Sequence, residues 1–451
     1  MNDETMIEEK IKELLEKKDY VSLRSILADM QPADAAQLFE NLPDEESPIV
    51  FRLLPKELAA ECFSYMDADV QENLIGNFSD KELETLLNGL FVDDTVDIIE
   101  EMPANVVKRI IKNASPDKRS EINMILRYPK NSAGTIMTTE FVELKPAMTR
   151  DSVFDHIREA GVRKETIYDC YVTDAKRHLI GVVSVKDLIM CADGSATVES
   201  IMETDVISVN ALVDQEEAVN VMKKYGFYAI PVTDSENRLI GIVTGDDALT
   251  VIEDESTEDI EIMAAMTPAE KPYFRTSVFE TWKNRIPWLL FLMISSVFTS
   301  KILQYFEGQL TANGALIAFM PILMDTAGNA GGQVSVTVIR GLSTGEVKIS
   351  DLFKVIWKEF RVSILCGVTL AVVNFLKMLA LDNVTIGVAL TVSITIGLTV
   401  VMAKFIGSIL PVAAKNVGFD PAVMASPFIT TICDALSLLL YFKVASIIIG
   451  L

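Results

Sequence analysis

The sequence predicts a multidomain membrane protein: an all-α helical-repeat N-terminal domain, an α/β tandem repeat, a connecting helix and a five-helix α transmembrane domain. Three observations predict it. Residues 282–451 carry 12 Lys+Arg and 8 Asp+Glu, net +4; subtracting from totals of 40 and 64 leaves 28 and 56, net −28, for residues 1–281. A motif of mixed helix and strand texture occurs twice between residues 136 and 249. Five apolar segments of bilayer length follow residue 284.

Residues 1–131 read as a helical N domain. Short amphipathic segments such as MQPADAAQLFENL, LPKELAAECFSYM and FVDDTVDIIEEM recur about every dozen residues, punctuated by Pro or Asp. Each apolar face is too small to stand alone, so hairpins should stack as a small α-solenoid. Its acidic surface includes Glu61, Asp93 and Asp97, the last two on one helical face at i,i+4 spacing. Such acids serve either helix solvation or cation binding. A region this acidic repels nucleic acid and attracts divalent cations, although a merely solvated surface has the same charge. The opening MNDETMIEEKIKELL is acidic and amphipathic rather than basic then apolar, which places the soluble part in the cytosol. Cys62, Cys170, Cys191, Cys366 and Cys433 lack CxxC spacing, and with only His156 and His178 a zinc site is not expected. The cysteines read as reduced packing residues.

Residues 132–198 and 199–255 form the repeat. IMTTEFVELKPAMTRDSVFDHI (136–157) matches IMETDVISVNALVDQEEAVNVM (201–222), and RHLIGVVSVKDLI (177–189) matches NRLIGIVTGDDAL (237–249). Each unit contains a helix, a β-branched strand, a turn, a second strand and a helix opened by Asp. This ordering resembles a tandem pair of cystathionine-β-synthase (CBS) domains, regulatory modules whose clefts take adenine nucleotides. The resemblance implies a cleft near Tyr168, Asp169, Lys186 and Asp187, where a helix N-terminus favours phosphate, as in bound ATP. The alternative is that Asp187 and Asp247 only cap their helices.

Residues 256–283 read as a connecting helix, preceded by or including Glu253, Asp254, Glu255, Glu258, Asp259 and Glu261. Those carboxylates repel unless cations screen them; a solvated linker is the competing reading. The transmembrane domain (284–451) holds spans near 286–305, 313–340, 356–380, 384–411 and 421–449. Lys283, Arg285, Arg340, Lys348, Lys354, Lys358, Lys404 and Lys415 fall near one set of ends, while the opposite loops carry Glu307 and Asp382. This is the positive-inside pattern for a multi-pass cell-membrane protein with N-terminus cytoplasmic and C-terminus outside. Trp282, Pro287 and Trp288 suit an interfacial anchor. Five spans preclude two inverted halves in one chain, and a symmetric dimer is the simplest route to a central pore.

Two segments carry chemistry. PILMDTAGNAGGQVSVT (321–337) combines Pro321, Gly328, Gly331 and Gly332, which would bend or open a helix and allow close packing, with Asp325, Thr326, Asn329 and Gln333. ASPFITTICDALSLLLYF (425–442) holds Asp434 behind Thr430 and Thr431. A carboxylate at membrane depth is costly, and oxygen donors suit a hydrated dication such as Mg²⁺. The competing role for Asp434 is an ion pair with Lys377, Lys404 or Lys443.

Taken together, the order of parts resembles the MgtE family of magnesium channels and transporters over the whole chain. The resemblance implies a homodimer in the lipid bilayer that passes Mg²⁺, with Co²⁺ and Mn²⁺ as further divalents, and matches Asp434 and Asn329 to family pore positions. It also implies feedback closure by cytosolic Mg²⁺ at Glu61, Asp93, Asp97, Asp214, Glu216, Asp247, Glu255, Glu258 and Asp259. Gly226, Thr250, Lys186 and the Ala327-Gly328-Asn329 run depart from the family pattern. No GxxxxGK[ST] loop or nucleophile–histidine pair appears, so neither an enzyme nor an ATP-driven pump is expected. The rivals are a CBS-bearing anion transporter and a membrane-anchored sensor that signals to a separate transporter.

Overall fold

The computed structural model describes residues 10–161, 164–269, 273, 276–308, 314–382, 384–424 and 426–450. It divides into two compact units, 1–252 and 253–451. The acidic opening over residues 1–9, residue 313 at the head of the second span and residue 425 of the fifth lie outside the described residues.

The first unit starts with short helices: α1 (Tyr20–Ala28), α2 (Pro32–Glu40), α3 (Ser47–Phe51), α4 (Lys56–Ser64), α5 (Ala68–Asn77), α6 (Asp80–Leu87), α7 (Val92–Glu101), α8 (Ala104–Asn113) and α9 (Pro116–Ile125). They stack because each buries only a few apolar residues and needs its neighbours. Phe39, Phe51, Phe63 and Phe78 bridge four helix layers, with Phe51 at centroid distances of 6.0, 5.9 and 5.2 Å from the others. Local signals set the helix starts. Ser79 and Glu82 form a reciprocal capping box at α6, and Ser115 caps α9.

The repeat becomes two copies of one topology. β1 (Glu143–Leu144), α10 (Arg150–Ala160), β2 (Asp169–Thr173), β3 (Leu179–Ser184), α11 (Val185–Met190) and α12 (Val198–Ile201) make the first. β4 (Val209–Asn210), α13 (Gln215–Tyr225), β5 (Ala229–Thr233), β6 (Leu239–Thr244) and α14 (Gly245–Met263) make the second. Both sheets run parallel then antiparallel, and both shift register at the same place, Val172/Thr173 and Val232/Thr233. Each repeat's entry segment pairs with the other's sheet: Thr138 bridges Ile242 and Glu203 bridges Val182. Glycine permits that crossing. A Cβ at Gly241 would lie 2.8 Å from Thr138 O, and one at Gly181 would lie 3.2 Å from Glu203 O.

Helix α14 continues unbroken to Met263, so the acidic stretch after 252 is helical there rather than a loose linker. The second unit adds α15 (Val278–Tyr305), α16 (Met320–Ser343), α17 (Leu352–Leu381), α18 (Ile386–Asn416) and α19 (Ser426–Ile449). Helix α15 begins before the expected first span and contains Pro287 within it. Among the described residues, four helical stretches are long and apolar enough to cross a membrane: 278–305, 349–381, 386–416 and 421–449. Helix α16, at 24 residues, has the length but carries the polar motif. Helix α18 packs against α16, α17 and α19.

Candidate functional site

Helix α16 runs unbroken through its glycine-rich motif. Pro321 lies in the first turn, where the missing N–H has no intrahelical partner to lose, so the expected opening does not occur. The glycines do admit neighbours, the close packing also expected of them. A Cβ at Gly328 would lie 2.7 Å from Thr430 Cγ2 of α19, and one at Gly331 would lie 2.7 Å from Ile429 Cγ2 and 3.3 Å from Cys433 Sγ. This contact aligns the two polar motifs side by side.

On the face away from those contacts, Asp325, Asn329, Gln333, Thr337 and Arg340 stand exposed along one stripe of α16. Amides and charges facing hydrocarbon would be strongly unfavourable, so this stripe requires water or another polar surface. Asp434 is half-buried on α19, within electrostatic reach of Asp325. Thr430 and Thr431 donate their hydroxyl protons to Pro427 O at 2.9 and 3.1 Å. Their oxygen lone pairs remain available to a cation or its water shell. Two of the lysines weighed as partners for Asp434 are engaged elsewhere: Lys404 Nζ lies 3.6 Å from Glu359 and Lys377 Nζ lies 2.9 Å from Asp382.

At one end of α16 the last turn of α14 packs against the helices that carry these motifs. Ile262 and Met263 meet Ile339 of α16 and Ala422, in the turn leading into α19. Beside them, burial and the Asp420 carboxylate raise the pKa of Asp259, while Arg340 and a hydrogen bond from Ser343 oppose the rise. Glu255 and Glu258 lie on the same helix, both half-buried.

The first unit contains a second constellation. Asp93, expected on the surface, is only 7% exposed; the first turn of α7 donates from Val92 N to Glu140 of the first repeat at 2.9 Å and lies within electrostatic reach of Asp247 of the second. Oδ1 of Asp93 has no hydrogen-bond partner, and its carboxyl faces Asp247, Asp94 and Glu165. Burial followed by neighbouring carboxylates raises the whole group: Asp94 and Asp247 to about 6, Asp97 to about 7 and Glu165 to about 8. Asp97, unlike Asp93, is exposed to solvent, as expected of a surface acid. Glu165 Oε2 is also buried without a hydrogen bond. Asp247 accepts from Thr244 Oγ1 at 2.6 Å, a capping contact at the start of α14 that coexists with its place in the cluster.

Glu61 is exposed near Tyr65, whose hydroxyl pKa is raised by burial, then by Asp246, Asp94, Glu61 and Glu165. Asp214 caps α13 by accepting from Glu216 N at 2.9 Å, and Glu216 is half-buried beside it. Among the described residues no three His, Cys, Asp or Glu side chains form a ready metal cage. Unpartnered buried carboxylate oxygens nevertheless fit Mg²⁺, a hard ion that keeps several waters and accepts outer-sphere oxygen contacts. Sequence reasoning missed Asp94, Asp246, Glu140 and Glu165. The first two adjoin identified acids, whereas nothing local marks Glu165.

In the first repeat, Tyr168 is 70% exposed and its carbonyl accepts from Val185 N at 2.8 Å. Lys186 and Asp187 are exposed on α11 and Asp169 is half-buried. Burial and then the Asp187 carboxylate raise the pKa of Asp169, so the two carboxyls lie within electrostatic reach of one another. Ser184 caps α11 and donates to Asp187 at 2.6 Å. An exposed ring, a lysine and two carboxyls are suited to stacking a base, contacting phosphate and accepting from ribose hydroxyls.

Three family models match the chain: a divalent cation transporter model, MgtE, over residues 320–444; the MgtE intracellular N domain over 30–131; and the CBS domain over 133–193 and 198–254. A magnesium transporter MgtE of Thermus thermophilus is 35% identical, covering 97% of this chain and 98% of that protein. Its counterpart in Bacillus subtilis is 30% identical over 94% and 93%. Among solved structures, the cytosolic domain of the Mg²⁺ channel MgtE in complex with ATP is 36% identical, with a TM-score of 0.51 over 53% of this chain and 98% of that one. The soluble part of a magnesium transporter is 28% identical, with a TM-score of 0.53 over 56% and 99%.

Proposed function

The chain belongs to the MgtE family of divalent cation transporters, and on that premise we propose that it is a Mg²⁺ channel closed by cytosolic Mg²⁺. The observation that carries the pathway is the exposed polar stripe of α16 held beside Asp434 by the Gly328–Thr430 contact. A second copy related by two-fold symmetry would turn both stripes toward a shared aqueous axis. Asn329, Thr430 and Thr431 then present neutral oxygens, and the two Asp434 carboxylates offset the dication's charge. Mg²⁺ dehydrates reluctantly, so a wide site contacting its water shell suits it better than a tight cage. In this reading α15 to α19 are five spans, with N-terminus in and C-terminus out, and Mg²⁺ enters the cytosol down its electrochemical gradient.

Regulation follows from the acids. Bound Mg²⁺ supplies positive charge that offsets the repulsion among Asp93, Asp97, Asp247 and their neighbours, together with Glu61, Asp214, Glu216, Glu255, Glu258 and Asp259. The carboxylates therefore favour a compact arrangement at high Mg²⁺ and a loosened one at low Mg²⁺. The packing of Ile262 and Met263 on Ile339 and Ala422 offers the mechanical link, since motion of α14 is felt where α16 and α19 begin or end. We further propose that the domain limits are 1–131, 132–198, 199–255, 256–283 and 284–451, and that ATP occupies the cleft at Tyr168, Asp169, Lys186 and Asp187. The ATP-bound relative supports that assignment.

The test is current recording from purified protein in patches, with Mg²⁺ stepped on the soluble-domain face. Selective inward Mg²⁺ current that shuts as this Mg²⁺ rises, and that Asp434→Ala abolishes, is the expected result. Normal selective current in Asp434→Ala would remove Asp434 from the pathway. No current in the wild type would favour the sensor reading.

A further inference from the structure

Lys118 lies beneath the carboxylate cluster of the first unit, and the proposed regulation does not use it. It is only 8% exposed, on α9, which packs against α7. Its ammonium donates to Leu87 O at 2.6 Å and to Leu90 O, at the end of α6 and in the turn that follows. Burial lowers its pKa, while Glu140, Asp94, Asp93 and Glu121, all within electrostatic reach but none in direct ion-pair contact, oppose that fall. Glu140 in turn accepts from Val92 N at 2.9 Å, at the first residue of α7. A buried lysine is costly to desolvate, and two carbonyls alone could be satisfied by a neutral donor. Electrostatic reach of Asp93, whose Oδ1 is buried and unpartnered, gives the Lys118 charge a role that a neutral donor would lack.

We infer that Lys118 is a built-in counter-cation of the carboxylate cluster, a positioning residue that sets how much Mg²⁺ is needed to close it. This rests on the proposed Mg²⁺-sensing role of the cluster. The ammonium occupies, permanently and from the interior side, part of the attraction that a bound dication would otherwise receive. It lowers the repulsion among Asp93, Asp94 and Glu140 enough for the apo fold to hold, and it repels an incoming dication. Removing its charge should therefore make the cluster bind Mg²⁺ more tightly while making the Mg²⁺-free protein less stable. A purely structural cap would lower stability without tightening Mg²⁺ binding.

The experiment titrates Mg²⁺ against subtilisin protection of the full chain in detergent, for wild type, Lys118→Met, Lys118→Gln and Lys118→Arg. Thermal melts without Mg²⁺ accompany each titration. Glutamine keeps a donor for the Leu87 and Leu90 carbonyls and removes the charge. The expected result is a protection midpoint at roughly three- to tenfold lower Mg²⁺ in Lys118→Met and Lys118→Gln, with the wild-type midpoint kept in Lys118→Arg. An unchanged or raised midpoint in folded Lys118→Gln would overturn the inference. So would failure of both neutral variants to fold while Lys118→Arg folds, since Lys118 would then be only a structural cap. Absence of Mg²⁺ protection in the wild type would instead remove the sensing role itself.

Discussion

Gly331→Ala isolates the packing that sets the two polar motifs side by side. A methyl at Gly331 would stand 2.7 Å from Ile429 Cγ2 and 3.3 Å from both Ala403 O and Cys433 Sγ. Restoring an ordinary contact of 3.4 Å to Ile429 requires a displacement of about 0.7 Å (3.4 − 2.7). The methyl meets α18 backbone and α19 side chains together, so relief toward one helix worsens the other. Alanine's helix propensity returns at most about 1 kcal/mol, whereas overpacking costs about 1–3 kcal/mol, so strain prevails. The shift also exceeds the ~0.5 Å tolerance of a preorganised site. Asn329 lies two residues along α16, and Asp434 follows Cys433. Mg²⁺ uptake into proteoliposomes should fall by about tenfold or more at equal incorporation, with a lowered melting temperature. Gly387→Ala is the matched control: its Cβ would meet nothing within 4 Å, so propensity alone should make it neutral or slightly stabilising, by up to about 1 kcal/mol. Wild-type uptake and melting in Gly331→Ala would refute the close-packing argument.

Lys404→Met should destabilise the second unit by about 3–5 kcal/mol, because it leaves Glu359 charged and largely buried. Lys404→Met with Glu359→Gln should recover most of that loss in detergent melts, and no recovery would deny the pair. Glu82 accepts from Arg52 and from the Ser79 backbone and hydroxyl, which together lower its pKa from 4.5 to about 2. A lowered folded-state value contributes stability that is present above pH 4.5 and lost as pH falls toward 2. The side chain is 40% exposed, so Glu82→Gln should cost only about 1 kcal/mol at neutral pH, and nearly nothing near pH 2. An equal loss at both pH values, followed by circular dichroism, would contradict the assignment. Neutralising Asp247, Glu255, Glu258 and Asp259 together should leave conduction active at Mg²⁺ on the order of millimolar, where the proposed regulation closes the wild type. Unchanged inhibition in patch currents would relocate the sensor.

Patterns that depend on near neighbours in sequence determined much of this protein. Apolar runs of bilayer length marked the membrane helices, and the doubled LIGVV/LIGIV motif foretold two sheets of one topology, because periodicity and strand texture are local properties. The same logic singled out Asp434, since a carboxylate in an apolar run is conspicuous without any structure. Tertiary packing decided what those residues face. Asp93 reads as a surface acid on an amphipathic helix, yet it is buried, within electrostatic reach of Asp247 more than a hundred residues later in the chain. Glu165 and Lys118 carry no sequence mark, and only the fold sets them beside Asp93. The glycines of α16 marked a place for close packing, but only the fold shows that Thr430 and Ile429 approach where a side chain would have stood. Burial and steric exclusion arise between segments distant in sequence, so the chain alone names the charged and small residues but leaves open which of them meet.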